Sequence, residues 1–108
     1  MSQGHIIIIG GGIGGLAAAA ALQKVGIDAL VLEQAPQMEE VGAGLSLWSN
    51  AINALRQLPL DAPVLRLGSI INRLSTRTSQ GRVLDVMDVQ RSSQQAGAPS
   101  ICISRGDL

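Results

Sequence analysis

The chain has 108 residues, enough for one domain, and its eight basic and eight acidic side chains give a formal net charge of zero. This balance, with Trp48 as the sole aromatic residue, excludes a basic nucleic-acid binder with an aromatic stacking platform. A single cysteine, Cys102, and a single histidine, His5, exclude an internal disulfide, a CxxC redox pair and a cysteine-built zinc site. We expect a soluble, cytoplasmic domain with neither a nucleic-acid nor a membrane partner.

The first 23 residues carry no Asp, Glu, Lys or Arg and invite comparison with a signal peptide or membrane anchor. They lack the positively charged start that a signal peptide needs. Their central glycines would also break a membrane-spanning helix. The sequence therefore argues against a targeting or spanning segment.

The chain opens with a pattern typical of a βαβ unit. Residues 5–9 are mostly isoleucine without polar alternation, which predicts a strand buried on both faces of a parallel sheet. A glycine cluster follows, then a predicted helix over 14–25 capped by Gly26, and a second apolar strand over 27–32.

The remaining elements are shorter. A polar loop over 36–41 leads to a strand at 45–47, and Ser49 or Asn50 is expected to cap a helix that ends at Gln57. Its inward residues should be Ile52 and Leu55. The later predicted elements are a helical turn over 61–68, a hairpin of 71–78 with 82–89, a mobile loop over 90–99, a strand over 100–104 and the start of a helix at 105–108.

The glycine cluster matches the dinucleotide fingerprint G-x-G-x-x-G. Gly10 permits the tight turn, Gly12 lets the backbone approach a pyrophosphate, and Gly15 lets the helix pack closely on the strand. Free N–H groups and the positive end of the helix dipole would hold the phosphates without a basic side chain.

Glu33 ends the second predicted strand, eighteen residues after Gly15. A carboxylate at this place accepts a hydrogen bond from a ribose 2′-hydroxyl and repels a 2′-phosphate, which disfavours an NADP-type adenosine. The pattern predicts a dinucleotide site. It does not separate FAD from NAD, and the simpler alternative is a glycine turn in an α/β protein with a solvated Glu33.

Four stretches in order along the chain carry a family resemblance: "IIIIGGGIGG" from residue 6, "LEQAP" from 32, "VGAGLSLWSNA" from 41 and "ISRGDL" from 103. Together they resemble landmarks of the FAD-dependent aromatic-ring hydroxylases, the single-component flavoprotein monooxygenases that include salicylate and 3-hydroxybenzoate hydroxylases and zeaxanthin epoxidase. The resemblance implies an α/β, Rossmann-like βαβ dinucleotide-binding fold with a parallel sheet and a β-hairpin excursion. Residues 1–108 would be the N-terminal part of an FAD-binding domain, truncated relative to the family.

The resemblance also implies a site. Its cofactor-binding residues would be Gly10, Gly12, Ile13, Gly14, Gly15, Glu33, Ala43, Gly44 and Arg105. FAD would be the cofactor, NAD(P)H the reductant of the full-length enzyme, and a small aromatic or organic molecule the substrate. We assign no catalytic residue and no metal ligand, and expect the chain to associate with a C-terminal segment that it lacks.

Three family positions differ here: Glu39 stands where many relatives have an arginine, Ser49 replaces a proline and Ser104 a histidine. Cys102 is expected to be buried in its strand rather than reactive. Two other functions remain open. One is an NAD-binding fragment of a dehydrogenase, and the other is a non-catalytic nucleotide-binding module.

Overall fold

A computed structural model describes residues 5–37 and 44–108. The chain forms two compact units, Met1–Glu39 and Glu40–Leu108. The first unit consists of strand β1 (Ile6–Ile9), helix α1 (Ile13–Lys24) and strand β2 (Ala29–Leu32). β1 and β2 pair in parallel, with Ile6 opposite Ala29 and Ile9 opposite Leu32. The predicted βαβ unit is confirmed.

Helix α1 ends at the glycine that the sequence indicated. Gly26 has a φ of 77°, a left-handed conformation that suits glycine. Its N–H donates to the Gln23 carbonyl, and the N–H of Ile27 donates to the Leu22 carbonyl, both at 3.0 Å. This pair of bonds is a Schellman motif, which turns the chain from α1 toward β2.

The predicted burial of the first strand on both faces is wrong. Ile7 and Ile9 are 58% and 89% exposed, and no residue of α1 is buried. Only Ile8 is half-buried within β1. The reason is that β1 and β2 form a sheet of two strands, and α1 is the only helix among residues 5–37 to pack against it.

Helix α1 approaches β1 at backbone distance. A Cβ placed on Gly15 would collide with the Gly10 carbonyl oxygen and would lie 3.3 Å from Cγ2 of Ile8. At the preceding residue, a Cβ on Gly14 would meet no atom of the described residues within 4 Å. Packing of helix on strand therefore requires glycine at position 15, as the fingerprint predicted.

The second unit combines three helices with two antiparallel sheets. Its elements are β3 (Gly44–Leu47), α2 (Ser49–Gln57), α3 (Asp61–Leu67), β4 (Ser69–Ile70), β5 (Arg73–Arg77), β6 (Val83–Asp88), α4 (Val89–Ala96) and β7 (Ile101–Ser104). Strand β7 lies between β3 and β4 and is antiparallel to both. β5 and β6 form the predicted hairpin, whose turn includes Gly81 at a φ of 89°.

The core of this unit lies where α2 and α3 cover β7. Ile52 and Ile101 are fully buried, and Val64, Ala98 and Ile103 complete the cluster. The predicted inward position of Ile52 is confirmed, and Leu55 packs against the same cluster while half-buried. Side chains alternate along β7, so Cys102 lies on the opposite face and is exposed. The expected burial of Cys102 is therefore wrong.

Helix α2 begins differently from the prediction. Trp48 occupies the N-cap position without a side-chain capping bond, so neither Ser49 nor Asn50 is the cap. The Ser49 hydroxyl instead donates to the Ala98 carbonyl at 2.8 Å, and its N–H donates to Oγ of Ser100 at 3.2 Å. A proline here would lack that N–H, so the serine is fitted to its buried partners.

The predicted mobile loop over 90–99 is mostly a helix. The Asp88 carboxylate accepts a bond from the Arg91 N–H at 3.0 Å and caps α4, and Val89 anchors the first turn because it is fully buried. Gly97, with a φ of 74°, ends the helix. Residues 105–107 form a turn rather than the start of a helix, with the Asp107 N–H donating to the Ser104 carbonyl at 3.1 Å.

None of the helices in the described ranges is long and apolar enough to cross a membrane.

Substitutions on the two faces of β7 should differ in their effect on stability. Ile101→Ala removes a fully buried side chain from the core and should lower the free energy of unfolding by about 2–5 kcal/mol. Cys102→Ser, one residue along on the exposed face, should change it by less than about 0.5 kcal/mol. Urea unfolding of both variants checks this, and equal losses would contradict the assignment of faces.

Two neighbouring glycines of α1 predict a second contrast. Gly15→Ala should unfold the turn between β1 and α1, because its Cβ collides with the Gly10 carbonyl. Gly14→Ala enters open space in a helix and should raise the unfolding free energy of the ligand-free chain by up to about 1 kcal/mol. Urea unfolding followed by circular dichroism distinguishes them. A tolerated Gly15→Ala would show that helix and strand do not meet this closely.

Candidate functional site

The glycine turn and Glu33 meet at one edge of the β1–β2 sheet. Because the strands are parallel, the segments after Ile9 and after Leu32 leave the sheet side by side. The Gly10 N–H donates to the Leu32 carbonyl at 2.7 Å and extends the pairing by one step. The structure thus brings together the predicted site residues of the first unit.

Three backbone donors lie at the start of α1. Gly12 is the N-cap in an extended conformation, with no side-chain capping bond. The first α-helical bond runs from the Leu16 N–H to the Gly12 carbonyl at 2.9 Å, so the N–H groups of Ile13, Gly14 and Gly15 precede it and lack an intrahelical partner. Such a set of donors at the positive end of a helix suits an anion.

The space around these donors is open. A Cβ on Gly12 would meet no atom of residues 5–37 or 44–108 within 4 Å, and the same holds for Gly14. The first turn of α1 contains no acidic residue. The one basic residue of this helix, Lys24, lies in its last turn. The residues present therefore fit a pyrophosphate that is held by backbone amides alone.

The Glu33 carboxylate is bound to backbone on both oxygens. Oε2 accepts the Gly11 N–H at 2.6 Å, and Oε1 accepts the Ala35 N–H at 2.9 Å. These bonds, with Ala35 the larger contributor, hold the pKa of Glu33 below its ordinary value. The carboxylate is therefore ionised at neutral pH and can still accept hydroxyl donors, since it offers about four lone-pair sites.

Gly11 is a site residue that the sequence reasoning missed. It occupies a position that the fingerprint leaves free, yet it is buried and donates to Glu33. A Cβ there would lie 3.2 Å from both Cβ and Oε2 of Glu33. The sequence does contain a signal for Gly11: residues 10–12 are all glycine, whereas the motif requires glycine only at positions 10 and 12.

The other predicted site residues belong to the second unit. Gly44 begins β3 and pairs with Ser104, and Arg105 follows directly, so these two lie at the same end of the β3–β7 pair. Arg105 is exposed, and the ion pair found within residues 44–108 joins Arg56 to Asp61. Ala43 lies outside the described residues.

Across residues 5–37 and 44–108, no group of three or more His, Cys, Asp or Glu side chains is arranged to hold a metal ion.

Comparison with known proteins places this geometry in context. Residues 8–38 match the model of the NAD(P)-binding Rossmann-like domain. The chain is 41% identical over 103 residues to the aurachin C monooxygenase/isomerase of Stigmatella aurantiaca, covering 95% of this chain and 27% of that protein. It is 34% identical over 106 residues to 3-hydroxybenzoate 6-hydroxylase 1 of Aquipseudomonas alcaligenes, covering 96% of this chain and 27% of the relative.

A solved structure extends the likeness to the fold. The crystal structure of Klebsiella pneumoniae HpxO, complexed with FAD and uric acid, superposes with a TM-score of 0.86 at 28% identity, covering 99% of this chain and 27% of HpxO. The chain thus spans about a quarter of the length of these relatives. The resemblance predicted from the four sequence landmarks is confirmed: in sequence and in fold, the chain corresponds to the N-terminal segment of the FAD-dependent aromatic-ring hydroxylases.

Proposed function

We propose that this chain binds FAD and forms the FAD-binding part of a flavoprotein monooxygenase. The observation that carries the proposal is the set of N–H donors at the start of α1, beside open space at Gly12. Relatives that match almost the whole chain include FAD-dependent urate hydroxylases, and HpxO was solved with FAD. These relatives favour FAD over a free nicotinamide dinucleotide.

Each predicted residue has a physical role in this proposal. Gly10, Gly12, Ile13, Gly14 and Gly15 would surround the pyrophosphate, because their backbone supplies the turn, the room and the donors.

The adenosine ribose would bond to Glu33, whose ionised carboxylate faces the same sheet edge. Ala43 and Gly44 would lie near the flavin end. Arg105 would contact cofactor oxygens through its guanidinium. For the last three residues the proposal rests on the family resemblance.

The proposed activity is hydroxylation of an aromatic or other small organic molecule. FAD, when bound, would supply the redox chemistry, with NAD(P)H as the source of electrons and O₂ as the source of one oxygen atom for the substrate and one for water. The residues of this chain hold and orient the cofactor and take no proton-transfer role. We further propose that the chain works in the cytoplasm together with a C-terminal segment that supplies the substrate pocket.

Gly12→Val tests the cofactor site without disturbing the fold. Gly12 has an extended backbone and an empty Cβ position, so valine should leave the urea unfolding midpoint nearly unchanged. Its side chain would occupy the space that the pyrophosphate needs. We therefore expect FAD binding by the 108-residue chain, measured by quenching of flavin fluorescence, to weaken about a hundredfold or more.

The same titration distinguishes the proposed FAD site from the NAD site of a dehydrogenase fragment. FAD and ADP should both bind the unsubstituted chain, and FMN, which lacks the adenosine and the pyrophosphate, should bind at least about tenfold more weakly than FAD. Tighter binding of NADH than of FAD would contradict the proposal and support a dehydrogenase fragment. Binding of FAD that Gly12→Val leaves intact would show that the cofactor lies elsewhere.

A further inference from the structure

Glu33 makes a contact that the recognition of a ribose does not require. Its Oε2 accepts the N–H of Gly11, 22 positions earlier in the chain, at 2.6 Å. This bond ties the end of β2 to the middle of the glycine turn. The side chain is exposed, whereas Gly11 is buried, so the carboxylate covers the turn from the solvent side.

The shapes of the two residues are matched. A Cβ on Gly11 would lie 3.2 Å from both Cβ and Oε2 of Glu33, closer than most Cβ contacts in proteins. The neighbouring Gly12 has an empty Cβ position. Glycine at position 11 is therefore explained by the presence of Glu33 rather than by space for a cofactor.

Within the described residues, the contact is made by backbone amides and involves no cationic side chain. The influences that lower the pKa of Glu33 are N–H groups of Ala35, Gly11 and Gln34, and no charged side chain is among them. An ionised acceptor makes a backbone hydrogen bond stronger than a neutral acceptor does. The ionised carboxylate thus holds the glycine turn through its bond to the Gly11 N–H.

We propose that Glu33 is a positioning residue for the pyrophosphate: by holding Gly11, it fixes the turn that aims the N–H groups of Ile13 and Gly14. The proposal rests on the proposed binding of FAD. It adds a role separate from any bond between Glu33 and the ribose. Its consequence is that loss of Glu33 weakens binding even of a ligand whose ribose offers no hydroxyl to bond.

Binding of two ligands to several variants separates the positioning role of Glu33 from its bond to the ribose. ADP and 2′,3′-dideoxy-ADP share the pyrophosphate and differ in the ribose hydroxyls. We expect Glu33→Ala to weaken binding of dideoxy-ADP by about tenfold, measured by calorimetry on the 108-residue chain. Glu33→Gln keeps an acceptor oxygen and should restore most of that affinity. Asp28→Asn, which neutralises an exposed acid elsewhere in the first unit, should have no effect.

Gly11→Ala tests the other end of the same contact. Its Cβ should displace the carboxylate and weaken both ligands as Glu33→Ala does. A spectroscopic signature needs no ligand: the Gly11 amide proton should lie downfield in the ¹H–¹⁵N spectrum and move upfield in Glu33→Ala, with the amide signals of residues 17–31 in the same unit largely unchanged. That pattern also shows that the variant is folded.

The outcomes distinguish this role from the proposed function. Equal affinity of the unsubstituted chain and Glu33→Ala for dideoxy-ADP, with a loss for ADP alone, would overturn the positioning role and leave FAD binding intact. A Gly11 amide proton that does not respond to Glu33→Ala would also overturn it. Failure of the unsubstituted chain to bind FAD or either ADP ligand would overturn the proposed function and the positioning role together.

Discussion

Backbone meets backbone where β1 turns into α1, and the candidate site depends on that approach. Helix α1 can lie against the Gly10 carbonyl because position 15 has no side chain. With the helix held there, its first N–H groups lie at the edge of the sheet, next to the glycine turn. The same edge receives the end of β2, so Glu33 reaches the turn. A single steric requirement thus places donors, open space and carboxylate together.

This arrangement also explains the charge of the chain. A site built from lysines would carry a positive excess, whereas a helix N-terminus holds an anion with partial charges of the backbone. The formal net charge of zero is consistent with an anion site that is built from backbone amides rather than lysines. Glu33, an ionised group that contacts the turn, is bonded to amides that stabilise its charge, so it shapes the turn through backbone hydrogen bonds.

The sequence predicts the first unit well because each signal there is local. Each of these signals concerns the local backbone: the isoleucines, the fingerprint glycines, Gly26 and Glu33. The structure places all of them in the expected elements, and only the predicted burial of the first strand is wrong. Burial is a property of what lies beside a strand, and β1 has one strand and one helix beside it. The role of Gly11 was hidden for a related reason, since it depends on a side chain 22 positions away.

Errors in the second unit also come from distant partners. The polar composition of residues 90–99 indicated a loop, but Val89, which is fully buried, anchors a helix there. Ser49 is a good capping residue by type, yet Ala98 and Ser100 take its hydroxyl and N–H. Cys102 is apolar enough for a core, but the register of β7 turns it outward. In each case tertiary contacts override the preference of the residue.

In the proposed complex with FAD, backbone amides at the start of α1 hold the pyrophosphate of the cofactor. Titration of the ¹⁵N-labelled chain with FAD tests it most directly, followed through the amide signals of every residue. The largest shifts should fall on Gly12, Ile13, Gly14 and Gly15, with smaller ones at Glu33. Saturable shifts that spare residues 12–15 and cluster elsewhere would show that FAD does not bind at the start of α1.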